Sequence, residues 1–95
     1  MLVTLRLTGY LSVRAGLKPG EVLQFDLPAQ STLNDLYSAF DAKMGAHMPA
    51  NLWNRETLSF HDSIMVMVNN QQQKERGYQL QEGSSVTALL PIAGG

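Results

Sequence analysis

The best candidates for a chemical reaction are the two glycines that end the sequence, Gly94 and Gly95. A C-terminal carboxylate has a pKa near ~3.5, so at neutral pH it is ionised and a poor acyl donor. Another enzyme would have to activate it before an acyl transfer could occur. Because glycine lacks a Cβ atom, both residues can adopt backbone angles closed to other residues and can enter a narrow channel. The sequence therefore predicts a reactive carboxyl group at Gly95, preceded by Gly94, whose lack of a side chain lets the terminus enter a narrow channel.

A short lead-in precedes the two glycines. Pro91 lacks a backbone N–H and so ends the pairing of the strand before it, while Ile92 and Ala93 continue the chain. Residues 91–95 would span roughly 17 Å when extended, at about 3.3–3.6 Å per residue. We expect a folded domain over residues 1–90, followed by a flexible tail that carries the carboxylate into a partner's buried active site.

The rest of the sequence offers no set of catalytic side chains. Cysteine is absent, which excludes a thiol nucleophile and a thiolate metal site in this chain. His47 and His61 have no carboxylates spaced around them as metal ligands, so ordinary loop histidines are the better interpretation. Ser84 and Ser85 lie in a predicted turn, where serine is common, and no phosphate loop or dinucleotide fingerprint occurs. We expect no metal site, no bound cofactor and no catalytic side chain.

Composition narrows the classes of partner. The 95 residues are 44% hydrophobic and 16% charged, with a net charge of −1, which is typical of one globular domain. The seven basic residues are scattered, whereas nucleic-acid binding needs a basic patch. The apolar run from Val86 to Ile92 is far shorter than the ~20 residues of a membrane span. The alternating N-terminus lacks the unbroken apolar core expected of a signal peptide, so we expect a cytoplasmic protein that binds neither nucleic acid nor membrane.

Hydrophobic periodicity predicts two strands and then a helix in the first half of the chain. Alternation over residues 2–8 and 21–27 is typical of half-buried strands, with an irregular connection at 9–20. Thr32 and Asp35 form a short capping box, and Gly45 is placed as a left-handed C-terminal stop. The apolar stripe of the predicted helix has helical spacing and consists of Leu33, Leu36, Tyr37, Phe40 and Met44.

In the second half of the chain, hydrophobic periodicity is clear in some segments and lacking in others. Residues 46–62 lack periodicity and are expected to form a long loop with a turn of helix near Leu52 and Trp53. Residues 63–68 are apolar on both faces, which predicts a central strand covered on both sides. The remaining expectations are an exposed loop at 69–77, a short strand at 78–80 and a last strand at 86–90.

Two pairs of side chains on these later strands are candidates for partner contact. Met65 and Met67 share one face of their strand, and we interpret them as core residues because methionine fills irregular interiors. The alternative is an adaptable contact on an open face. Leu89 alternates away from its neighbours, so we expect it to be exposed beside Thr87 as a docking surface.

Several motifs resemble the MoaD/ThiS family of ubiquitin-like sulfur carriers. The helix opening from Thr32 to Phe40 is similar to that of the family, and Val66 to Asn70 resembles its central strand and Asn-containing turn. Leu80 to Gly83, followed by Val86 to Leu90, resembles its last turn and strand. The final Pro-Ile-Ala-Gly-Gly of residues 91–95 is closer to the MoaD branch than to ThiS.

The resemblance implies a fold, a chemistry and partners. The fold would be an α+β β-grasp, a mixed sheet of four to five strands on one main helix, with the first and last strands parallel. Gly95 would be adenylated with ATP by a MoeB-like activating enzyme and converted to a thiocarboxylate. The acceptor would be the large subunit of molybdopterin synthase or another sulfur-accepting enzyme, and this chain would be a carrier rather than an enzyme.

Other functions remain open from the sequence. The chain could be a ubiquitin-like modifier joined through Gly95 to lysines of other proteins. It could be a sulfur carrier for thiamine, tRNA or cysteine pathways, or a binding module in which the terminal glycines have no role.

Overall fold

A computed structural model describes residues 1–91 of the chain, so the predicted tail beyond Pro91 lies outside the described residues. Within this range no helix has the length and apolarity to cross a membrane. The elements in chain order are β1 Leu2–Leu7, α1 Tyr10–Arg14, β2 Leu23–Asp26, α2 Leu33–Met44, a 3-10 turn Gly45–His47, β3 Trp53–Asn54, β4 Ser59–Phe60, β5 Met65–Val68, β6 Gln71–Gln72 and β7 Ser85–Leu89.

Five strands form one mixed sheet in the order β2-β1-β7-β5-β6. β1 and β7 are parallel, and the other neighbours are antiparallel. α2 is the main helix, and its apolar stripe is buried. The predicted α+β β-grasp fold is therefore confirmed, including the parallel pairing of the first and last strands. The predicted connection at 9–20 also contains the five-residue helix α1.

Alternation explains which side chains of β1, an interior strand between β2 and β7, are buried. Val3, Leu5 and Leu7 are buried on one face, whereas Arg6 is exposed on the other. Leu5 is opposite Leu23 of β2 on one side and opposite Val86 of β7 on the other. A period of two places these side chains on the face that α2 covers.

The start of α2 agrees with the prediction, but its end does not. The Thr32 backbone N–H donates to the Asp35 carboxylate at 2.8 Å, within the predicted capping box. Gly45 has φ −55° and ψ −40°, so it is right-handed and the chain continues into the 3-10 turn. A Cβ atom at this position would collide with the Asp41 carboxylate. The glycine is therefore needed for a close approach and not for a left-handed stop.

The segment predicted as a long loop is a small hairpin of its own. β3 and β4 pair in antiparallel fashion, with Trp53 opposite Phe60. Trp53 is 1% exposed, and the centre of its ring lies 4.8 Å from the centre of the Phe40 ring on α2. The predicted turn near Leu52 and Trp53 is present, because the backbone N–H groups of both residues donate to the Pro49 carbonyl. The prediction of a long loop is wrong, because the Trp53 side chain anchors a two-stranded hairpin to α2. The 3-10 turn precedes it at Gly45–His47.

Three further predictions for the second half of the chain are corrected by the structure. β5 is covered on one face and open on the other, since Val66 and Val68 are buried while Met65 and Met67 are half-buried. The expected loop at 69–77 begins with a tight hairpin, in which Asn69 and Asn70 both have positive φ between β5 and β6. This is the turn geometry that asparagine tolerates well. The expected short strand at 78–80 is reduced to an isolated bridge between residues 32 and 79.

Candidate functional site: the end of β7 and the open face of the sheet

The chain is held firmly up to the end of β7. β7 lies between β1 and β5, and Leu89 pairs with Met65 at the start of β5. The Thr8 backbone N–H donates to the Ala88 carbonyl at 3.1 Å. Leu90 is half-buried against the core, and Pro91 is exposed. The point at which the chain leaves the sheet is therefore fixed on both sides by paired strands.

The turn before β7 sets its position beside β1. Gly83 has φ +80° and its backbone N–H donates to the Leu2 carbonyl at 2.8 Å. The Glu82 carboxylate accepts from the Leu2 backbone N–H at 2.7 Å. Ser84 is 3% exposed, and its hydroxyl accepts from the Gln81 backbone N–H at 2.9 Å. The serine predicted as an ordinary turn residue thus closes the turn that places β7 parallel to β1.

Thr87 and Leu89 lie on the face of the sheet that points away from α2. Both are half-buried, whereas their neighbours Val86 and Ala88 are 0% exposed. The placement of Thr87 and Leu89 on one surface agrees with the prediction from alternation. Their role in binding a partner stays a prediction.

The two methionines of β5 join this open face. Met65 is opposite Leu89, and Met67 is opposite Thr87. The interpretation of both methionines as core residues is wrong, and the alternative of an open-face position is the observed one. Sequence alone could not decide between the faces, because valine and methionine alternate and both are apolar. We refer to Met65, Met67, Thr87 and Leu89 as the open-face patch.

Register extends this patch with polar side chains that the sequence analysis missed. Arg6 of β1 is opposite Thr87, which is opposite Met67, which is opposite Gln72 of β6. These residues form one row across four adjacent strands. The open-face patch thus has a cation on one side and an amide on the other.

The histidines do not form a metal site in the described part of the chain. His47 and His61 are exposed, and His61 Nδ1 lies 2.8 Å from the Ser63 hydroxyl. No group of three or more His, Asp or Glu side chains in residues 1–91 is arranged to hold a metal ion. Of the predicted site residues, Ile92, Ala93, Gly94 and Gly95 lie outside the described residues.

No protein-family model matches this sequence, and no curated protein matches it either. Similarity is found among solved structures. Small archaeal modifier protein 1 from Haloferax volcanii matches with a TM-score of 0.79 and 18% identity, covering 100% of both chains.

Two of the similar structures are complexes. The complex of subunits 1 and 2 of molybdopterin-converting factor from Helicobacter pylori contains a match with a TM-score of 0.65 and 18% identity, covering 100% of both chains. The complex of BexX and CysO from Amycolatopsis orientalis contains a match with a TM-score of 0.64 and 23% identity, covering 98% of this chain and 99% of that one. At these identities the likeness establishes the shared β-grasp fold.

Proposed function

We propose that this chain is a sulfur carrier that is loaded at the carboxyl group of Gly95 and delivers sulfur to an acceptor enzyme. The observation that carries the proposal is the anchored end of β7, which lies beside the open-face patch and leads within a few residues to Gly94 and Gly95. The solved structures with the same fold include a modifier protein and a subunit of molybdopterin-converting factor, which supports a carrier or modifier role rather than an enzyme.

The proposed loading has two steps. A carboxylate oxygen of Gly95 attacks the α-phosphate of ATP, pyrophosphate leaves, and an acyl-adenylate forms. Sulfide then attacks the carbonyl carbon; alternatively an enzyme persulfide attacks it, and a thiol reductant cleaves the S–S bond of the resulting acyl disulfide. The C–O bond to AMP breaks, AMP leaves, and a thiocarboxylate remains at Gly95. Activation is needed because the free carboxylate is ionised at neutral pH and a poor acyl donor.

The role of the chain in this chemistry is to bring the Gly95 carboxyl group to the active site of the partner, and it supplies no catalytic side chain. ATP would be bound by a MoeB-like activating enzyme, and the carrier itself would bind no cofactor. Residues 91–95 reach roughly 17 Å when extended, which is enough to bring the carboxyl group into a buried site of another protein. Gly94 and Gly95 would allow passage through a narrow entry because neither has a Cβ atom. The reaction would take place in the cytoplasm.

The open-face patch is the proposed docking surface for the activating enzyme. Met65, Met67 and Leu89 offer half-buried apolar area next to the exit of the tail. Methionine adapts its shape to a partner more readily than branched side chains do. Docking through this face would hold the start of the tail at a fixed place, so that only residues 91–95 need to find the active site.

We further propose that the acceptor is the large subunit of molybdopterin synthase, with this chain as the small subunit. The ending Pro91-Ile92-Ala93-Gly94-Gly95, which resembles the MoaD branch, supports this choice. The complex of molybdopterin-converting factor subunits, in which one chain shares this fold, supports it as well. Thiamine, tRNA and cysteine pathways are the competing destinations, and the test is sulfur transfer from the loaded chain to each candidate acceptor.

Intact mass spectrometry tests the loading. The full chain is incubated with ATP, sulfide and a MoeB-like activating enzyme that has been shown to load its own carrier. We expect a mass gain equal to replacement of one oxygen by sulfur, located at Gly95 and dependent on ATP. Gly95→Ala places a methyl group beside the reacting carbon, so its loading should fall sharply. The absence of any mass gain in the unaltered chain would contradict the proposal.

A second candidate is a protein modifier attached through Gly95. The match to small archaeal modifier protein 1 over the whole of both chains is the observation that favours it. Attack on the same acyl-adenylate by a thiol and then a lysine amine would give an isopeptide bond in place of a thiocarboxylate. Conjugates of raised mass in cell extract, lost when Gly94 and Gly95 are deleted, would identify this function.

A further inference from the structure

A second concave site lies on the covered side of the sheet, away from the open-face patch. It is a pocket of about 510 Å³ between α2, the β3–β4 hairpin and the segment that follows β6. Tyr37 and Phe60 give the pocket an aromatic wall. Gln73, Lys74 and Arg76, which belong to the segment after β6, line its other side. The proposed sulfur chemistry does not use this pocket.

Arg76 is the central charged group of the pocket. Its Nη2 donates to the Leu58 carbonyl at 2.8 Å, and its Cζ lies 5.5 Å from the centre of the Tyr37 ring. Its Nε is buried and has no hydrogen-bond partner in residues 1–91. The ion pairs of this part of the chain involve Met1 with Asp26 and Arg55 with Asp41, so no carboxylate of residues 1–91 forms an ion pair with Arg76. A half-buried cation without an anion is unfavourable.

Other charges around the pocket set its selectivity. Lys74 and Asp62 also line it, and both are exposed. With Arg76 the three ionised side chains sum to one positive charge. Tyr37 is 5% exposed, and burial raises the pKa of its phenol although Arg76 opposes the shift. The phenol therefore stays a neutral hydrogen-bonding group and adds no negative charge to the pocket.

We propose that this pocket binds a carboxylate group, held chiefly by the Arg76 guanidinium and secondarily by the Lys74 ammonium. Guanidinium and carboxylate groups match as planar, multidentate partners. A single negative charge also fits the net charge of the pocket, and the Asp62 carboxylate repels a phosphate dianion more strongly than a carboxylate monoanion. The carboxylate comes either from a glutamate or aspartate side chain of a protein or from a free carboxylic acid. The proposal rests on residues 1–91 and does not depend on the proposed loading of Gly95.

Nuclear magnetic resonance of the ¹⁵N-labelled full chain tests the site. Sodium acetate is titrated against sodium chloride at constant ionic strength and pH, with the Arg76 Nε–H and the backbone amides of residues 72–77 as reporters. We expect saturable shifts of these signals with acetate. Arg14 and Arg55 lie outside the pocket, so their Nε–H signals serve as controls in the same sample and should not follow the titration.

Three variants test the charges. Arg76→Gln should weaken acetate binding by about tenfold or more, since a charge-assisted hydrogen bond is lost. Lys74→Gln should weaken it by about two- to fivefold, as expected for an exposed charge. Asp62→Asn should strengthen it by about two- to fivefold, because a repulsive charge is removed. Lys74 and Asp62 are exposed, so these two variants keep the test valid even if Arg76→Gln disturbs the hairpin.

The same titration separates the two sources of carboxylate. A blocked glutamate, acetylated and amidated on its backbone, mimics a protein side chain. Tighter binding of the blocked glutamate than of acetate indicates a protein ligand, and equal or weaker binding indicates a small acid. Tighter binding of inorganic phosphate than of acetate would overturn the carboxylate assignment. Unchanged acetate affinity in both Lys74→Gln and Asp62→Asn would overturn the site, with no bearing on whether Gly95 is loaded.

Discussion

The two faces of the five-stranded sheet differ in what covers them. On the side toward α2, Leu5, Val86 and Ala88 are 0% exposed. On the other side of the same strands Arg6 is exposed and Leu89 is half-buried. One strand thus contributes to the core and to an accessible surface by alternation alone. Adjacent residues should therefore differ in function, and substitutions one position apart should differ in how much they lower the free energy of unfolding.

The β3–β4 hairpin adds aromatic side chains to the covered side of the sheet. Trp53 and Phe60 pack at right-angle geometry on each other and on Tyr37 of α2. On the open side, within residues 1–91, the side chains of the open-face patch are half-buried and not buried. The covered side therefore contributes most of the buried core, and the open side leaves the open-face patch accessible.

The largest expected effect is on the covered face of β1. Leu5→Ala removes a side chain that is 0% exposed, and the cavity it leaves should lower the free energy of unfolding by about 2–5 kcal/mol. Arg6→Ala, one residue along on the open face, should change it by no more than about 0.5 kcal/mol. Urea unfolding of both variants measures the contrast. Equal losses in the two variants would break the distinction between the faces.

The same alternation explains which parts of the fold could be predicted from sequence. β1, α2 and β7 carry complete periodic patterns, and their positions agree with the prediction to within one or two residues. β3 and β4 have two residues each, which is too short for any period to show. The burial of Trp53 depends on contacts with α2 that are distant in sequence, so a local pattern could not reveal it.

The candidate site was predictable in part. The face of Leu89 follows from its neighbours, whereas the face of Met65 does not, since valine and methionine are both apolar. The row that joins Arg6 to Thr87 depends on strand register, which no single segment encodes. Gly94 and Gly95 remain a prediction from sequence and lie outside the described residues.

A smaller loss is expected where the hairpin is fastened to α2. Trp53 donates its Nε1–H to the Asp41 carboxylate at 2.9 Å. Trp53→Phe removes this hydrogen bond and part of the buried ring, so the free energy of unfolding should fall by about 1–3 kcal/mol. Thermal unfolding followed by circular dichroism measures it. Wild-type stability in this variant would show that the hairpin is not part of the core of the covered side.

A pH-dependent effect is expected at Asp41 itself. The hydrogen bonds from Trp53 and then from Arg55 hold the pKa of Asp41 below its ordinary value of 3.8. A carboxyl group with a lowered folded pKa stabilises the protein above its unfolded pKa, and the contribution is lost as pH falls through the folded pKa. Asp41→Asn should therefore be less stable than the wild type at neutral pH, by less than Trp53→Phe.

The sign of the pH dependence is the sharper test. The difference in unfolding free energy between wild type and Asp41→Asn should shrink as the pH falls below 3.8. Urea unfolding of both proteins, from neutral pH to about pH 3, follows the protonation of carboxyl groups. A difference that stays constant over this range would show that the carboxylate charge of Asp41 does not hold the hairpin.

The smallest expected effect on stability is on the open face at Leu89. Leu89→Arg places the long side chain on a half-buried, solvent-facing position, so the free energy of unfolding should change by about 0.5 kcal/mol or less. Binding to the activating enzyme should nevertheless weaken by about tenfold or more, because a charge would replace apolar contact at the centre of the proposed interface. Titration calorimetry against that enzyme, together with the loading assay, measures both.

Gln24→Arg is the matched control for Leu89→Arg. Gln24 of β2 is opposite Thr4, which lies on the open face of β1, and β2 is separated from β7 by β1. The control adds the same charge to the same face, far from the exit of the tail, so enzyme binding should be nearly unchanged. If both variants lose binding, the charge acts through the general field of the surface. If Leu89→Arg binds and loads normally, the open-face patch is not the docking surface, and the enzyme must recognise the chain through another part of its surface.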